Sequence, residues 1–223
     1  MQTNKTALVI GATGMVGSEL VKLLLQDARF DKVVVFVRRS SKINHQKLTE
    51  HLIDFDRPET WEPLVKGDVL FSALGTTISK AGSKQKQYEI DFTYQYNFAK
   101  AAAANDIKGY VLISSAGANA DANIFYSRMK GELEEAVKKL PFTFIHIIRP
   151  GLLTGDRNEF RLGERLAAPV LSLLQYIKPL KKYRPIHARV VAQAMLNAAF
   201  IEKEKLSYHT LGQVFELGER RAG

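Results

Sequence analysis

The stretch Val9-Ile10-Gly11-Ala12-Thr13-Gly14-Met15-Val16-Gly17 constrains this chain more than any other. It joins a short apolar run, Lys5 to Ile10, to a segment in which Met15, Val16, Leu20, Leu23 and Leu24 recur at helical spacing. The glycines therefore fall at a strand–helix junction, and each has a mechanical reading there. Gly11 lets the chain turn sharply, Gly14 lets backbone amides approach a pyrophosphate, and Gly17 lets helix and strand pack closely. The start of the helix adds unpaired N–H groups and a partial positive charge. A glycine triplet can also merely pack, but this is the junction where G-x-x-G-x-x-G has meaning for a dinucleotide. Gly11, Thr13, Gly14, Met15, Val16 and Gly17 are the expected cradle.

Downstream, strand and helix patterns alternate. Val33 to Val37 is continuously apolar, as a parallel strand covered on both faces should be. Further strands are predicted over 47–55, 69–74, 110–114 and 142–149, with helices over 87–104 and 123–139. Beyond Pro150 the pattern gives a loop, helices near 160–177 and 187–200, and a last strand near 207–217. Alternation of this kind implies an α/β class, a doubly wound parallel sheet of the Rossmann type. One domain over 1–223 is expected, with 151–223 contributing a small helical substrate or lid region.

Composition narrows the classes. Of the 223 residues 46% are hydrophobic and 25% charged, ordinary for a folded globular chain. Cysteine is absent, which excludes disulfides, thiolate metal sites and cysteine nucleophiles. His45, His51, His146, His187 and His209 show no metal-ligand spacing, so no metal is expected. No signal peptide is evident and no stretch reaches the roughly 20 apolar residues of a membrane span. A cytoplasmic protein is the resulting expectation. The net charge of +9 favours anionic ligands without choosing among nucleotide, acidic lipid and nucleic acid. The lack of aromatic interleaving or a known module speaks against nucleic acid.

An NAD-selective site usually ends its second strand with Asp or Glu on the ribose, whereas arginine accommodates a 2′-phosphate. Here the strand ends Val37-Arg38-Arg39, which points to NADP(H) over NAD(H). Asp54, closing the third strand, is either an acceptor for the adenine amine or a turn aspartate.

Tyr126-Ser127-Arg128-Met129-Lys130 is a Y-x-x-x-K. On a helix the two residues share a face, where an ammonium stabilises a phenolate that shuttles a proton. The pattern recurs at Tyr96 and Lys100, and placement separates the two. Tyr126 follows the fifth strand, which ends in Ile113-Ser114-Ser115, and a hydroxyl there can meet a tyrosine on the next helix. Tyr96 has no such companion and is read as packing or surface.

With these residues in view, the chain resembles the short-chain dehydrogenase/reductase superfamily in its atypical branch. It looks most like the Tat-interacting-protein-like NAD(P)-binding oxidoreductases. The likeness is carried by the Gly11–Gly17 turn, Arg38-Arg39, Ala73-Leu74-Gly75-Thr76-Thr77, Tyr126 with Lys130, and Arg149-Pro150-Gly151. It implies that Tyr126 is the general acid/base, that Lys130 binds the nicotinamide ribose and favours the phenolate, and that Ser115 (or Ser114) polarises a substrate carbonyl. Ala73, Leu74 and Gly75 would line the dinucleotide. The chain departs from the family where many relatives place a proton-relay asparagine, since the position reads Ile90-Asp91-Phe92.

The segment Glu164 to Arg184 mixes apolar residues with Lys178, Lys181 and Lys182. It admits a lid helix, a homodimer surface, an amphipathic face on acidic lipid, or a helix packed on the core. Lys80, Lys84 and Lys86 form a second basic loop. The leading expectation is an NADPH-dependent reductase of a small carbonyl compound. The alternative is an NADP(H)-binding sensor or interaction protein with little turnover.

Overall fold

The structure, a computed structural model, describes residues 4–154, 184–201 and 204–220. Its main sheet has seven strands, all pairs parallel, in the order β3-β2-β1-β4-β5-β6-β9. These are β1 (Lys5–Ile10), β2 (Phe30–Val37), β3 (Leu48–Leu52), β4 (Val69–Ser72), β5 (Gly109–Ile113), β6 (Phe144–Arg149) and β9 (Leu206–Thr210). A two-stranded ladder pairs β7 (Leu153–Thr154) with β8 (Ile186–His187). The helices are α1 (Met15–Gln26), α2 (Pro58–Trp61), α3 (Ile78–Ala81), α4 (Lys84–Tyr88), α5 (Tyr94–Ala104), α6 (Phe125–Val137), α7 (Ala188–Ala198) and α8 (Gly212–Glu219).

The unbroken apolar strands follow from two buried faces. Ala7 and Val9 of β1, with Val33, Val35 and Val37 of β2, pack beneath α1, α7 and α8. Leu8 and Ile10, with Val34 and Phe36, face the opposite layer of Trp61, Phe98, Leu133 and Val137. A fully buried aliphatic side chain of this kind contributes about 1.5–3 kcal/mol, so the central strands anchor both layers.

Two expectations change. The helix over 87–104 is interrupted: Glu89–Thr93 is π-helical between α4 and α5. Gln95 explains the break locally, because its Nε2 donates to the carbonyl of Asp91 at 2.6 Å. The strand near 207–217 splits into β9 and α8 around Leu211, whose φ is +51°. Val214 and Leu217 are three apart and buried, which a helix satisfies and a strand would not. The predicted helix near 160–177 and the lysines of the 164–184 segment lie outside the described residues. Arg184 is described, and it sits on α8, with its guanidinium 4.0 Å from the Phe215 ring and 3.6 Å from Glu219. α7 packs on α1 and α8. Among the described residues no helix is long and apolar enough to cross a membrane.

β1 and β4 are neighbours although β2 and β3 intervene in sequence, so the chain changes sides of β1 here. Such a switch point opens a crevice beyond the carboxyl ends of the strands. Ile10 is level with Phe36 and Ser72, Ser72 with Leu112, and Ile113 with Ile148. The residues that leave these strands therefore emerge along one edge.

Candidate active site

The glycine turn is pressed onto the exit of β4. Gly11 has φ +79°, and a Cβ there would lie 2.3 Å from the carbonyl carbon of Ala73 and 2.4 Å from the nitrogen of Leu74. Gly17 is as tight, since its Cβ would fall 2.1 Å from the Gly11 oxygen. Only a residue without a side chain fits either position. The turn and the Ala73–Gly75 backbone thus form one wall of the crevice. Val16 is buried in the core, Met15 is half-buried and Thr13 is exposed.

Gly14 is the N-cap of α1, with no side-chain capping bond and no acidic residue in the first turn. Its amide donates to the Gly11 carbonyl at 2.9 Å. A helix start without a capping side chain or carboxylate has amides and dipole to offer an anion. A pyrophosphate fits this cradle.

Arg38 and Arg39 are exposed just beyond β2. Asp54 is exposed, and its Oδ1 accepts the Asp56 amide at 3.0 Å, so it does serve as a turn aspartate. Tyr96 stacks on Phe92 with centroids 6.0 Å apart, while Lys100 is exposed on α5, in keeping with a packing and surface role. The predicted basic loop is instead two short helices capped by Thr77 and Ser83, with Lys80 on α3 and Lys84 and Lys86 on α4. Lys86 pairs with Glu89 at 2.8 Å, and Lys84 stands 5.8 Å from the Phe125 ring.

At the exit of β5 the two serines differ. Ser114 is buried, its amide donates to the Ile148 carbonyl at 2.7 Å, and its hydroxyl donates to Glu134 Oε1. Ser115 is half-buried, and its carbonyl accepts the Ala118 amide at 3.0 Å. Asn119 N–H then donates to the Ser127 carbonyl at 3.0 Å, which lays the serine loop against the start of α6, next to Tyr126.

Along α6, Tyr126, Lys130 and Glu134 succeed one another at intervals of four, on one face of the helix. Tyr126 is half-buried. Lys130 is 4% exposed, and its Nζ lies 3.8 Å from Oδ2 of Asp91, itself 1% exposed. Asp91 Oδ1 accepts the Thr76 amide at 2.7 Å, so the loop from β4 and Lys130 meet on one carboxylate. Glu134 is 2% exposed and holds Arg149 of β6. Hydrogen bonding to Glu134 pushes the Arg149 guanidinium still further up from its ordinary value. The sequence reading missed Glu134, although Tyr126-x-x-x-Lys130-x-x-x-Glu134 was visible as a second step of four. Among the described residues no cluster of three or more His, Asp or Glu could hold a metal ion.

The model of the NAD(P)H-binding family matches residues 11–170, which include the turn, both arginines, Asp91 and the α6 face. The chain belongs to this NAD(P)H-binding family. Its relatives include fungal proteins. Protein FMP52-1, mitochondrial, of Scheffersomyces stipitis is 35% identical over 206 residues, covering 90% of each chain. Protein fmp52, mitochondrial, of Emericella nidulans is 39% identical over 168 residues, covering 71% of each. Their names overturn the cytoplasmic expectation. That expectation rested on finding no secretory leader or membrane span, and neither is needed to reach a mitochondrion.

Solved structures agree on the fold of this NAD(P)H-binding protein. MoeE5 in complex with UDP-glucose and NAD superposes with TM-score 0.67 at 16% identity, covering 96% of this chain and 80% of that one. UDP-glucose 4-epimerase of Thermotoga maritima gives 0.68 at 14%, covering 96% and 81%. The oxidoreductase ylbE of Lactococcus lactis gives 0.56 at 20%, covering 68% and 71%. The likeness to short-chain dehydrogenases and epimerases therefore holds at the level of architecture.

Proposed function

We propose that this NAD(P)H-binding protein is an oxidoreductase that reduces a small carbonyl compound with NADPH, using Tyr126 as general acid. The observation that carries the reading is Lys130, a buried ammonium on the helix face of Tyr126, tied through Asp91 to the loop that abuts the glycine turn. Buried lysines are rare unless paired, and this one is paired with Asp91.

Bound in the crevice, NADPH supplies the hydride. The amides at the Gly11–Gly17 turn, including those of Thr13, Met15 and Val16, bind its pyrophosphate. Arg38 and Arg39 hold the 2′-phosphate, Asp54 combines its turn role through Oδ1 with accepting from the adenine amine through its other oxygen, and Ala73, Leu74 and Gly75 line the dinucleotide. Lys130 hydrogen-bonds the nicotinamide ribose, and its charge favours the phenolate of Tyr126. Ser115 donates to the substrate carbonyl, because the Ser114 hydroxyl is already committed to Glu134. Tyr126 delivers its phenolic proton to the same oxygen as negative charge develops there. The region from 151 onward bounds the substrate in this reading, and the names of the relatives support a mitochondrial place of action.

The test is turnover of NADPH with a panel of aldehydes and ketones. Tyr126→Phe is expected to lower kcat/KM by more than about 10²-fold while NADPH still binds. Undiminished turnover in that variant overturns the role of Tyr126. Tight NADPH binding without turnover on any carbonyl would instead favour a sensor.

A further inference from the structure

We infer that Asp91 is a positioning residue whose carboxylate holds two elements at once, the dinucleotide loop at Thr76 through one oxygen and Lys130 through the other. The inference rests on the reading of Lys130 as a ligand of the nicotinamide ribose.

The backbone around Asp91 is built for the purpose. A π-turn displaces one residue from the α-helical ladder and is often found at functional sites. The π-helical stretch Glu89–Thr93 contains Asp91. Its carbonyl is taken by Gln95 Nε2 at 2.6 Å, and Gln95 Oε1 accepts the Ser72 hydroxyl at 2.7 Å. Ser72, Gln95 and Asp91 are all fully buried. This chain of hydrogen bonds fixes Asp91 to the last residue of β4, immediately before Ala73.

The carboxylate then serves two elements. Oδ1 accepts the Thr76 amide at 2.7 Å, and the Thr76 carbonyl accepts Gln87 Nε2 at 3.0 Å, so Thr76 is gripped from both sides. Oδ2 faces Lys130 at 3.8 Å. That separation is an ionic contact beyond hydrogen-bond length, and an ammonium has three donors to direct elsewhere. A ribose hydroxyl could take them without displacing Asp91. Either charge alone in this interior would be strongly disfavoured, so each holds the other in place. An asparagine would still offer an oxygen to Thr76 but would give up the hold on the ammonium. Aspartate is the residue type that performs both tasks.

The two tasks separate in two variants of the full chain. Asp91→Asn keeps an acceptor for Thr76 and removes the charge, whereas Asp91→Ala removes both. NADPH affinity is read by fluorescence titration, and Lys130 accessibility by its acylation rate with an amine-reactive ester, followed by mass spectrometry. Asp91→Asn is expected to raise Lys130 acylation about ten-fold with NADPH affinity held within about three-fold. Asp91→Ala is expected to do the same to Lys130 and also to weaken NADPH binding about ten-fold. A purely structural role would lower the melting temperature of both variants without this split. Wild-type acylation in Asp91→Asn overturns the proposal, and that measurement decides alone if Asp91→Ala does not fold. Wild-type affinity in a folded Asp91→Ala overturns the loop half of it. Failure of the wild-type protein to bind NADPH would count against the functional reading, which these outcomes keep distinct from the role of Asp91.

Discussion

Glu134 on α6 and Arg149 at the end of β6 form a two-point ion pair, with Arg149 Nε donating to Oε1 at 3.0 Å and Nη2 donating to Oε2. Oε1 also accepts the Ser114 hydroxyl, so one carboxylate joins the ends of β5 and β6 to the helix between them. The other side of Arg149 lies 4.5 Å from the Tyr208 ring. Removing the carboxylate strands a guanidinium and a buried hydroxyl. Glu134→Ala should therefore lower stability by about 2–3 kcal/mol, less than the loss of a wholly buried pair because Arg149 is 26% exposed. Urea denaturation checks this, and a loss under about 0.5 kcal/mol would mean that the network is ornamental.

The glycines of the turn should fail in different ways. An alanine at Gly11 meets Ala73 backbone at 2.3 Å and must also adopt φ +79°, so Gly11→Ala should destabilise by about 3 kcal/mol or more, or prevent folding. At Gly14 the added methyl sits 3.2 Å from the Gly11 oxygen, a contact that a small shift relieves. Gly14→Ala should stay within about 1 kcal/mol of the parent yet bind NADPH at least about ten-fold more weakly, because the methyl occupies the approach to the phosphates. Paired melting and binding measurements separate the two effects; equal behaviour of both variants would refute the assignment.

What could be read from the sequence was local. The glycine turn, the double-faced strands and the amphipathic α6 each declare themselves within a few residues, so the sheet and the edge that carries the candidate site were legible. Pairing at a distance was not. Glu134 on an otherwise amphipathic helix looks solvated until Arg149 arrives from the next strand. Asp91 could be recognised as a departure from the family, but its grip on Thr76 and Lys130 depends on a π-turn held by Gln95. The β9–α8 corner was hidden because Leu211 makes the turn at positive φ without glycine or asparagine. Thr13 and Val16 were picked from one motif, and burial alone tells them apart.

Arg38 and Arg39 should discriminate between cofactors. Both are exposed beyond β2, where a guanidinium can take a 2′-phosphate but gains nothing from a bare ribose hydroxyl. The double variant Arg38→Ala/Arg39→Ala should raise the Kd for NADPH about ten- to a hundred-fold and leave NADH within about three-fold. The advantage of NADPH in the parent should also shrink as salt rises, since exposed charges are screened. Titration with both nucleotides at two ionic strengths tests this, and a parallel loss for NADH and NADPH would remove the arginines from the specificity argument.

Acid should weaken the fold through a histidine pair between β6 and β9. His146 Nδ1 and His209 Nε2 lie 3.1 Å apart, and His146 Nε2 is 3.3 Å from the Ile201 carbonyl. Burial pushes both below the ordinary imidazole range, His209 to about 4, with His146 and the nearby Arg220 adding to its shift. In the unfolded chain each imidazole takes up its proton near 6.5. Below that pH the unfolded state binds more protons than the native one, so stability falls as pH drops. The contribution of His209 is complete above about pH 6.5, is lost progressively toward pH 4, and changes no further once His209 is protonated in both states. Allowing for the partial exposure of His209, the loss across this window should be about 2 kcal/mol. Urea midpoints measured from pH 7.5 to 4.5 should show the decline, and His209→Gln, which keeps an acceptor for His146 without a titrating ring, should flatten it. An unchanged pH slope in that variant would remove His209 as the source of the acid sensitivity. Asp27 cannot replace it in this window, because a carboxyl held below its usual value by hydrogen bonds from Arg29 loses its contribution only below about pH 3.8.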